Sequence, residues 1–338
     1  MLVPSCRRPP ENRALGQSPE DPLARGRRTY RVGVDENGLG ARLGPMITTA
    51  VGAWADSEGL ALLDRPLMPE VAADLGDSKT LVSHANARLA EAWARLLAAD
   101  GEVSTPLACL QRLLLEPEDD LQQLCPQHAA RQCWSVGTEQ FVADTALVDR
   151  LRAHRRWFRE HGVDLASAVV SVACVRRLNL ARQEGLSRFT VDLHAMERLV
   201  LAHRELAGQE VVAICGQVGG IRDYARYFGP LGGRLHTSLG AAAGRRGYRF
   251  PGVGELHFVV DADGSDPLVM LASLVGKYVR ELLMARVARF YVEAGMDGGP
   301  LPSGYHDPVT SRFVAATENA RRRRRIPIVC FERARDRS

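Results

Sequence analysis

The sequence predicts an α/β domain built on a mixed sheet, and three observations carry that prediction. Two β-branched runs, "TYRVGVD" (29–35) and "GPMITTAVGAW" (44–54), are joined by a short Gly-containing link, the pattern of an antiparallel hairpin. Beyond them, short apolar runs alternate with helical periodicity, the signature of strands laid parallel in one sheet with helices on its faces. The longest periodic segment, 265–295, opens on Ser265, Asp266 and Pro267 and stops at Gly295. Ser or Asp caps a helix, Pro suits its first position and Gly ends it.

Taken in order, residues 1–28 are polar and Pro/Arg-rich and read as a disordered leader. The two strands of the hairpin follow, then a loop holding "DSKT" (77–80) and a helix over roughly 84–99 with Ala and Leu at helical spacing. Residues 100–160 are less patterned and read as an insertion. Helical periodicity is read at 163–184, a short strand "RFTVD" at 188–192, a helix at about 194–206, and strands at 210–216 and 256–263. The domain is thus expected over 29–312, with a basic tail over 313–338. No internal repeat of 20–50 residues is present.

Composition limits the function classes. The chain has 338 residues, 46% of them hydrophobic, enough for a sizeable core. No run of 18 apolar residues offers a membrane span, and the leader lacks the apolar stretch of a secretory signal. Seven cysteines scattered without a dense framework fit a reducing compartment, so a cytoplasmic location is expected. The net charge of +4 is local: residues 321–338 hold eight Arg against Glu332 and Asp336, a net of +6, which leaves −2 on the rest. Such a stretch can add sequence-independent phosphate contacts. Of 44 basic residues only Lys79 and Lys277 are lysines. In so Arg-biased a chain, Lys marks positions where a compact ammonium is wanted.

Three predicted strands end in acids: Asp35–Glu36, Asp192, and Asp261 with Asp263. Ligands of α/β sheets gather where loops leave strand ends. Adjacent side chains on a strand point to opposite faces, so Asp35 and Glu36 serve one site only if the strand stops between them. Gly38 and Gly40 permit such a turn. Two unit charges 4 Å apart repel by about 4 kcal/mol at an effective dielectric of 20. Hard divalent cations with oxygen ligands relieve such repulsion, and two of them can clamp a phosphoryl displacement.

At these residues the chain resembles bacterial ribonuclease HII. "GVDENGLGARLGP" (33–45) is similar to that family's GVDEAGRGPLAGP, and "LGDSKTL" (75–81) to its L-x-DSKKL. "GVDLASAVVSVACVRRL" resembles its Ala-rich helix, and "FTVD" its next carboxylate strand. "DGSDPLVMLASLVGKYVREL" (263–282) resembles D-S-x-x-P-x-x-x-A-A-S-I-L-A-K-V-T-R-D, and "GY" at 304–305 its late Gly-Tyr. The matches are collinear over about 33–310, with an insertion, and both lysines fall inside them.

The resemblance implies a ribonuclease H-like mixed sheet flanked by helices. It implies a monomeric, Mg²⁺- or Mn²⁺-dependent endoribonuclease that cuts the RNA strand of RNA–DNA hybrids or duplex DNA at embedded ribonucleotides. It carries the metal-binding and catalytic acids onto Asp35, Glu36, Asp192 and Asp263. Asp263 is chosen for its place fourteen residues before Lys277, with Asp261 the second choice and Asp266 the helix cap. Substrate binding falls on Gly38, Leu39, Gly40, Lys79, Lys277 and Tyr305: lysines on phosphates, Tyr305 stacking beside the ribonucleotide, the Gly38–Gly40 backbone near the 2′-hydroxyl. Departures stand beside the matches. Leu39 replaces the family's Arg, Thr80 its second Lys, and His306 its Thr after Gly-Tyr. The alternative is a protein of the same fold that binds nucleic acid without turnover or acts on another substrate.

Other patterns are weaker. Cys109, Cys125, His128 and Cys133 match no standard zinc spacing and are read as ordinary thiols and a histidine. "GQVGGIRDY" (216–224) lacks the Gly-Lys-Ser/Thr of a phosphate loop. The acids of "GVDENGLG" stand where a dinucleotide's pyrophosphate would sit, which argues against that fold.

Overall fold

The computed structural model describes residues 28–334 apart from 84–85, 219–220, 222, 243 and 297–299. Nearly all of the predicted leader and the last four residues lie outside that set. Seven strands form one mixed sheet: β1 (Thr29–Asn37), β2 (Met46–Ala55), β3 (Val163–Ala173), β4 (Val211–Gly216), β5 (Thr237–Ala242), β6 (Arg245–Phe250) and β7 (Gly254–Val259), in the order β3-β2-β1-β4-β7-β6-β5. β1, β2 and β3 pair antiparallel, and β4 runs parallel to both β1 and β7. The mixed sheet flanked by helices is the architecture the sequence predicts.

Period-two alternation along β1 sorts its side chains between two cores. Tyr30, Val32 and Val34 join Leu193, Met196 and Leu199 of the helix Arg188–Ala207. The opposite face meets the long helix Pro267–Glu293, which also covers Ile47 and Val51 of β2. That contact is close because Gly33 has no side chain: a Cβ there would lie 2.2 Å from the Leu268 carbonyl carbon. Asp266 caps the long helix, accepting from the Leu268 and Val269 amides, and pairs with Arg31 at 3.1 Å.

Several elements differ from the sequence reading. Residues 163–184 are a strand followed by a short helix, Val175–Gln183, rather than one helix. β3 sits beside β2 at the sheet's end, and its three Ala disguise a run of Val that suits a strand. "RFTVD" opens the helix Arg188–Ala207, started by Ser187, whose side chain accepts from the Thr190 amide. Residues 100–160 are not peripheral, since Leu110, Leu113, Trp134, Leu151 and Phe158 enter the largest core. The stretch read as a basic tail is folded through Ala334. Ile326 and Phe331 are buried with Tyr291 and Phe313, and Arg321 lies 4.3 Å over the Phe331 ring.

Candidate active site

The C-terminal end of β1 carries two of the acids. β1 continues through Asn37, with Asp35 opposite Thr49 and Glu36 opposite Thr48 on β2. The strand therefore does not stop between Asp35 and Glu36, and the two leave it on opposite faces. Asp35 turns to the long helix and takes a side-chain hydrogen bond from Ser273. Glu36 turns to the other side, and its Oε2 accepts from the Leu39 amide at 2.9 Å, which draws the carboxylate towards the Gly38 turn. Gly38 has φ +93°, a conformation that favours glycine. Beside β1, Gly216 ends β4 with no side chain, and a Cβ there would sit 3.0 Å from Asp35 Oδ1.

Two further carboxylates close on this strand end from either face. Asp192, near the start of Arg188–Ala207, is fully buried; its Oδ1 accepts from Thr48 Oγ1 at 2.8 Å, and its Oδ2 has no partner. Asp263 lies in a short turn after β7 and pairs with Lys79 Nζ at 2.8 Å. Asp261 is exposed in a left-handed conformation, and Asp266 is the helix cap.

Charge at the site is poorly compensated. Burial, followed by repulsion from Glu36 and Asp263, pushes the Asp35 carboxyl up to about 7. Burial raises Glu36 as well, against the pull of Arg333, Arg280 and Lys79. Asp192 is raised as well, by burial and then by Glu36 and Asp35. The donor set is all oxygen, the chemistry of a hard divalent cation, and the orphaned Asp192 Oδ2 is a free donor position. Among the described residues, no three His, Cys, Asp or Glu side chains already stand grouped to hold an ion. The alternation on β1 accounts for this: the acids lie in two pairs around the strand end, Asp35 with Asp263 and Glu36 with Asp192.

The basic residues divide by role. Lys79, exposed, faces the carboxylates through Asp263. Lys277 does not: its Nζ donates to the Ser78 and Val82 carbonyls, so it fixes the turn that carries Lys79. Sequence reasoning missed four positions. Thr48 and Ser273 hold acids directly. Arg280 lies against Gly38, donates to the Ser303 carbonyl and sits 4.7 Å from the exposed ring of Tyr305. Arg333 donates to the Gly38, Leu39 and Gly44 carbonyls. Burial, then Arg280 and Arg188, draw its guanidinium down to about 9. Ser273, Lys277 and Arg280 fall at i, i+4 and i+7 of one helix, a single stripe that was legible in principle. Gly38 and Leu39 are tied into this arrangement, Gly40 is exposed at its edge, and Leu39 packs on apolar neighbours.

Of the cysteine–histidine set, Cys109 is buried in the largest core near Glu91 and does not line the cavity that Cys125 and Cys133 share, and His128 is exposed. Cys125 and Cys133 do come together, with other partners described below.

No protein-family model matches the chain, and a search of curated proteins finds no similar one. Among solved structures, the chain is similar to the ribonuclease HII of Archaeoglobus fulgidus, solved as a complex with PCNA. That match has 16% identity, 91% of this chain and 98% of that one covered, and a TM-score of 0.39. It is also similar to Bst-RNase HIII in complex with Mn²⁺, at 12% identity, 90% and 66% coverage and a TM-score of 0.44. The ribonuclease H2 of Pyrococcus horikoshii OT3 matches at 14% identity, 88% and 100% coverage and a TM-score of 0.41. With every one of these scores below 0.5, the functional reading rests on the site's own residues. No helix among the described residues is long and apolar enough to cross a membrane.

Proposed function

We propose that this protein is a metal-dependent endoribonuclease of the ribonuclease HII type, cutting the RNA strand of RNA–DNA hybrids or at ribonucleotides embedded in duplex DNA. One observation carries the reading. Four carboxylates from three separate segments surround one strand end, with Asp35 and Glu36 on its opposite faces, and burial raises the proton affinity of Asp35, Glu36 and Asp192, with repulsion between the acids adding at Asp35 and Asp192. An arrangement this costly is relieved by divalent cations, and the collinear sequence motifs supply the same four acids.

Asp35, Glu36, Asp192 and Asp263 would hold Mg²⁺ or Mn²⁺. When bound, such ions activate water and stabilise the leaving oxygen of a phosphodiester. The chain's own residues do the rest. Thr48 and Ser273 orient Asp192 and Asp35. Lys79 exchanges Asp263 for a substrate phosphate or shares both. Tyr305, backed by Arg280, offers an exposed ring to a sugar or base. The Gly38–Gly40 backbone approaches the 2′-hydroxyl. Leu39 leaves this turn without a cation of its own, and Arg333 and Arg188 bring guanidinium groups to its carbonyls. The protein acts on its substrate as a monomer.

A second reading, a hybrid-binding protein without turnover, is favoured by the unclosed ligand set and by the Lys79–Asp263 pair. The deciding assay offers a duplex with one ribonucleotide and an all-RNA hybrid, each with Mg²⁺ or Mn²⁺. Metal-dependent cutting that Asp35→Asn abolishes supports the nuclease. Binding without any Asp35-dependent cut, in either metal, supports the binder.

A further inference from the structure

Four of the chain's seven cysteines converge far from one another in sequence. Cys125 and Cys133 come from the segment read as an insertion, Cys174 follows β3, and Cys330 lies in the C-terminal helix Ile328–Phe331. All four line a single cavity of about 30 Å³, and all four are free thiols. A void of that size holds one or two water-sized bodies. Every one of the six possible pairs among them is close enough for charge on one sulfur to act on the other.

Polar donors face these sulfurs, although burial raises the thiols of Cys125, Cys133 and Cys174, a cost that a bound cation would offset. Cys174 caps the helix Val175–Gln183, and its Sγ accepts from the Arg177 amide at 3.5 Å. Arg176 Nη1 reaches Cys330 Sγ at 3.9 Å, and Arg131 also lines the cavity. Neutral buried thiols need neither amide donors nor guanidinium groups. Four thiolates around one divalent ion carry a net charge of about −2, which two arginines offset. Neither a nucleophile nor a redox pair requires four sulfurs from three regions of the fold, whereas a closed structural zinc site takes four.

We propose that Cys125, Cys133, Cys174 and Cys330 form a structural tetrathiolate zinc site. Since no three such side chains stand at ligand spacing among the described residues, the thiols close on the ion by side-chain rotation. Each cysteine loses its proton on binding, and no electron transfer is involved. The site ties 124–134 and the end of β3 to the C-terminal segment. That segment carries Arg333 to the Gly38 turn, so zinc would hold one wall of the candidate active site from a distance. The Cys125–Cys133 half was visible in the sequence; Cys174 and Cys330 replace Cys109 and His128 in the set.

The test is metal analysis of the purified full-length chain, with an expected one zinc per protein. Asp35→Asn is expected to keep it, which separates this ion from any held by the carboxylates. Cys174→Ser and Cys330→Ser should each lose the zinc, while Cys109→Ser and Cys215→Ser keep it. Should the first two variants fail to fold, cobalt replaces zinc in the wild type, and intense sulfur-to-cobalt charge-transfer absorption is expected. Absence of stoichiometric zinc overturns the proposal. So do disulfides among these four cysteines, a cobalt spectrum without thiolate ligation, or zinc that survives both substitutions.

Discussion

Replacing Asp35 by Asn should make the metal-free protein more stable at alkaline pH while removing cleavage. In the fold the Asp35 carboxyl rises from 3.8 to about 7. A carboxyl raised on folding binds protons more tightly in the native state, so its charged form opposes folding. The penalty is absent at acid pH, grows as pH rises above about 4, and is complete above about 7. Over that interval linkage gives roughly 4 kcal/mol. A weakened Ser273 hydrogen bond takes back about 1 kcal/mol, and the side chain's partial exposure screens part of the remainder. The expected gain is therefore about 2 kcal/mol at pH 8 with chelator present, falling to nothing or a slight loss at pH 4. Urea unfolding of both proteins at the two pH values measures it. Millimolar Mg²⁺ should then stabilise the wild type and leave the variant unmoved. If Asp35→Asn proves less stable than the wild type at pH 8 without metal, the carboxylate cluster is not strained and the case for a cation site fails.

Other substitutions separate the roles of neighbouring groups. Lys79→Ala should lower the salt dependence of hybrid binding by about one counterion. Lys277→Met should leave that slope unchanged and instead cost about 1–3 kcal/mol of stability, since both carbonyls lose the ammonium and that of Ser78 keeps only the Val82 amide. A reversed pattern in the binding titrations would exchange their assignments. Gly33→Ala should destabilise by about 3 kcal/mol or more, read from the urea midpoint. Its Cβ would meet the backbone of Leu268 and Val269 at 2.2 and 2.3 Å, so an unchanged midpoint would refute the close strand–helix approach. Glu197, which accepts from the Gly229 and Leu231 amides, is raised to about 7, mainly by burial. Its charged form likewise opposes folding, so stability relative to Glu197→Gln should fall as pH rises from about 4.5 through about 7. A pH-independent difference between the two proteins would discount that burial cost.

The part of the site that was legible came from local pattern. The hairpin, the acids at its first strand end and the capped long helix all follow from residues adjacent in sequence. What stayed hidden depended on partners distant in the chain. "RFTVD" has strand-forming residues, yet Asp192 shares a stripe with Met196, Leu199 and His203, all buried on one helix. Read at a period of 3.6, the same letters place the acid on a helix facing the sheet. Arg333 was invisible for a different reason. A run of arginines reads as a solvated tail until Ile326 and Phe331 are seen to anchor it.

The two lysines show how far composition alone can reach. An Arg-rich chain that keeps Lys at two positions is using the ammonium's compactness, but that does not fix its partner. Lys79 meets a carboxylate at the site, and Lys277 fits between two backbone carbonyls where a planar guanidinium would need more width. Both nonetheless act on the same turn: one holds the backbone of residues 78–82, and the other projects from it. The guanidinium groups at Gly38 do the converse work, clamping several carbonyls with a fixed fork. The candidate site is thus a strained set of carboxylates at one strand end, supported by lysine and arginine contacts drawn from the whole length of the chain. Its rigidity then depends on the C-terminal segment that supplies Arg333, which is why the sulfur cluster beneath that segment bears on the site without touching it.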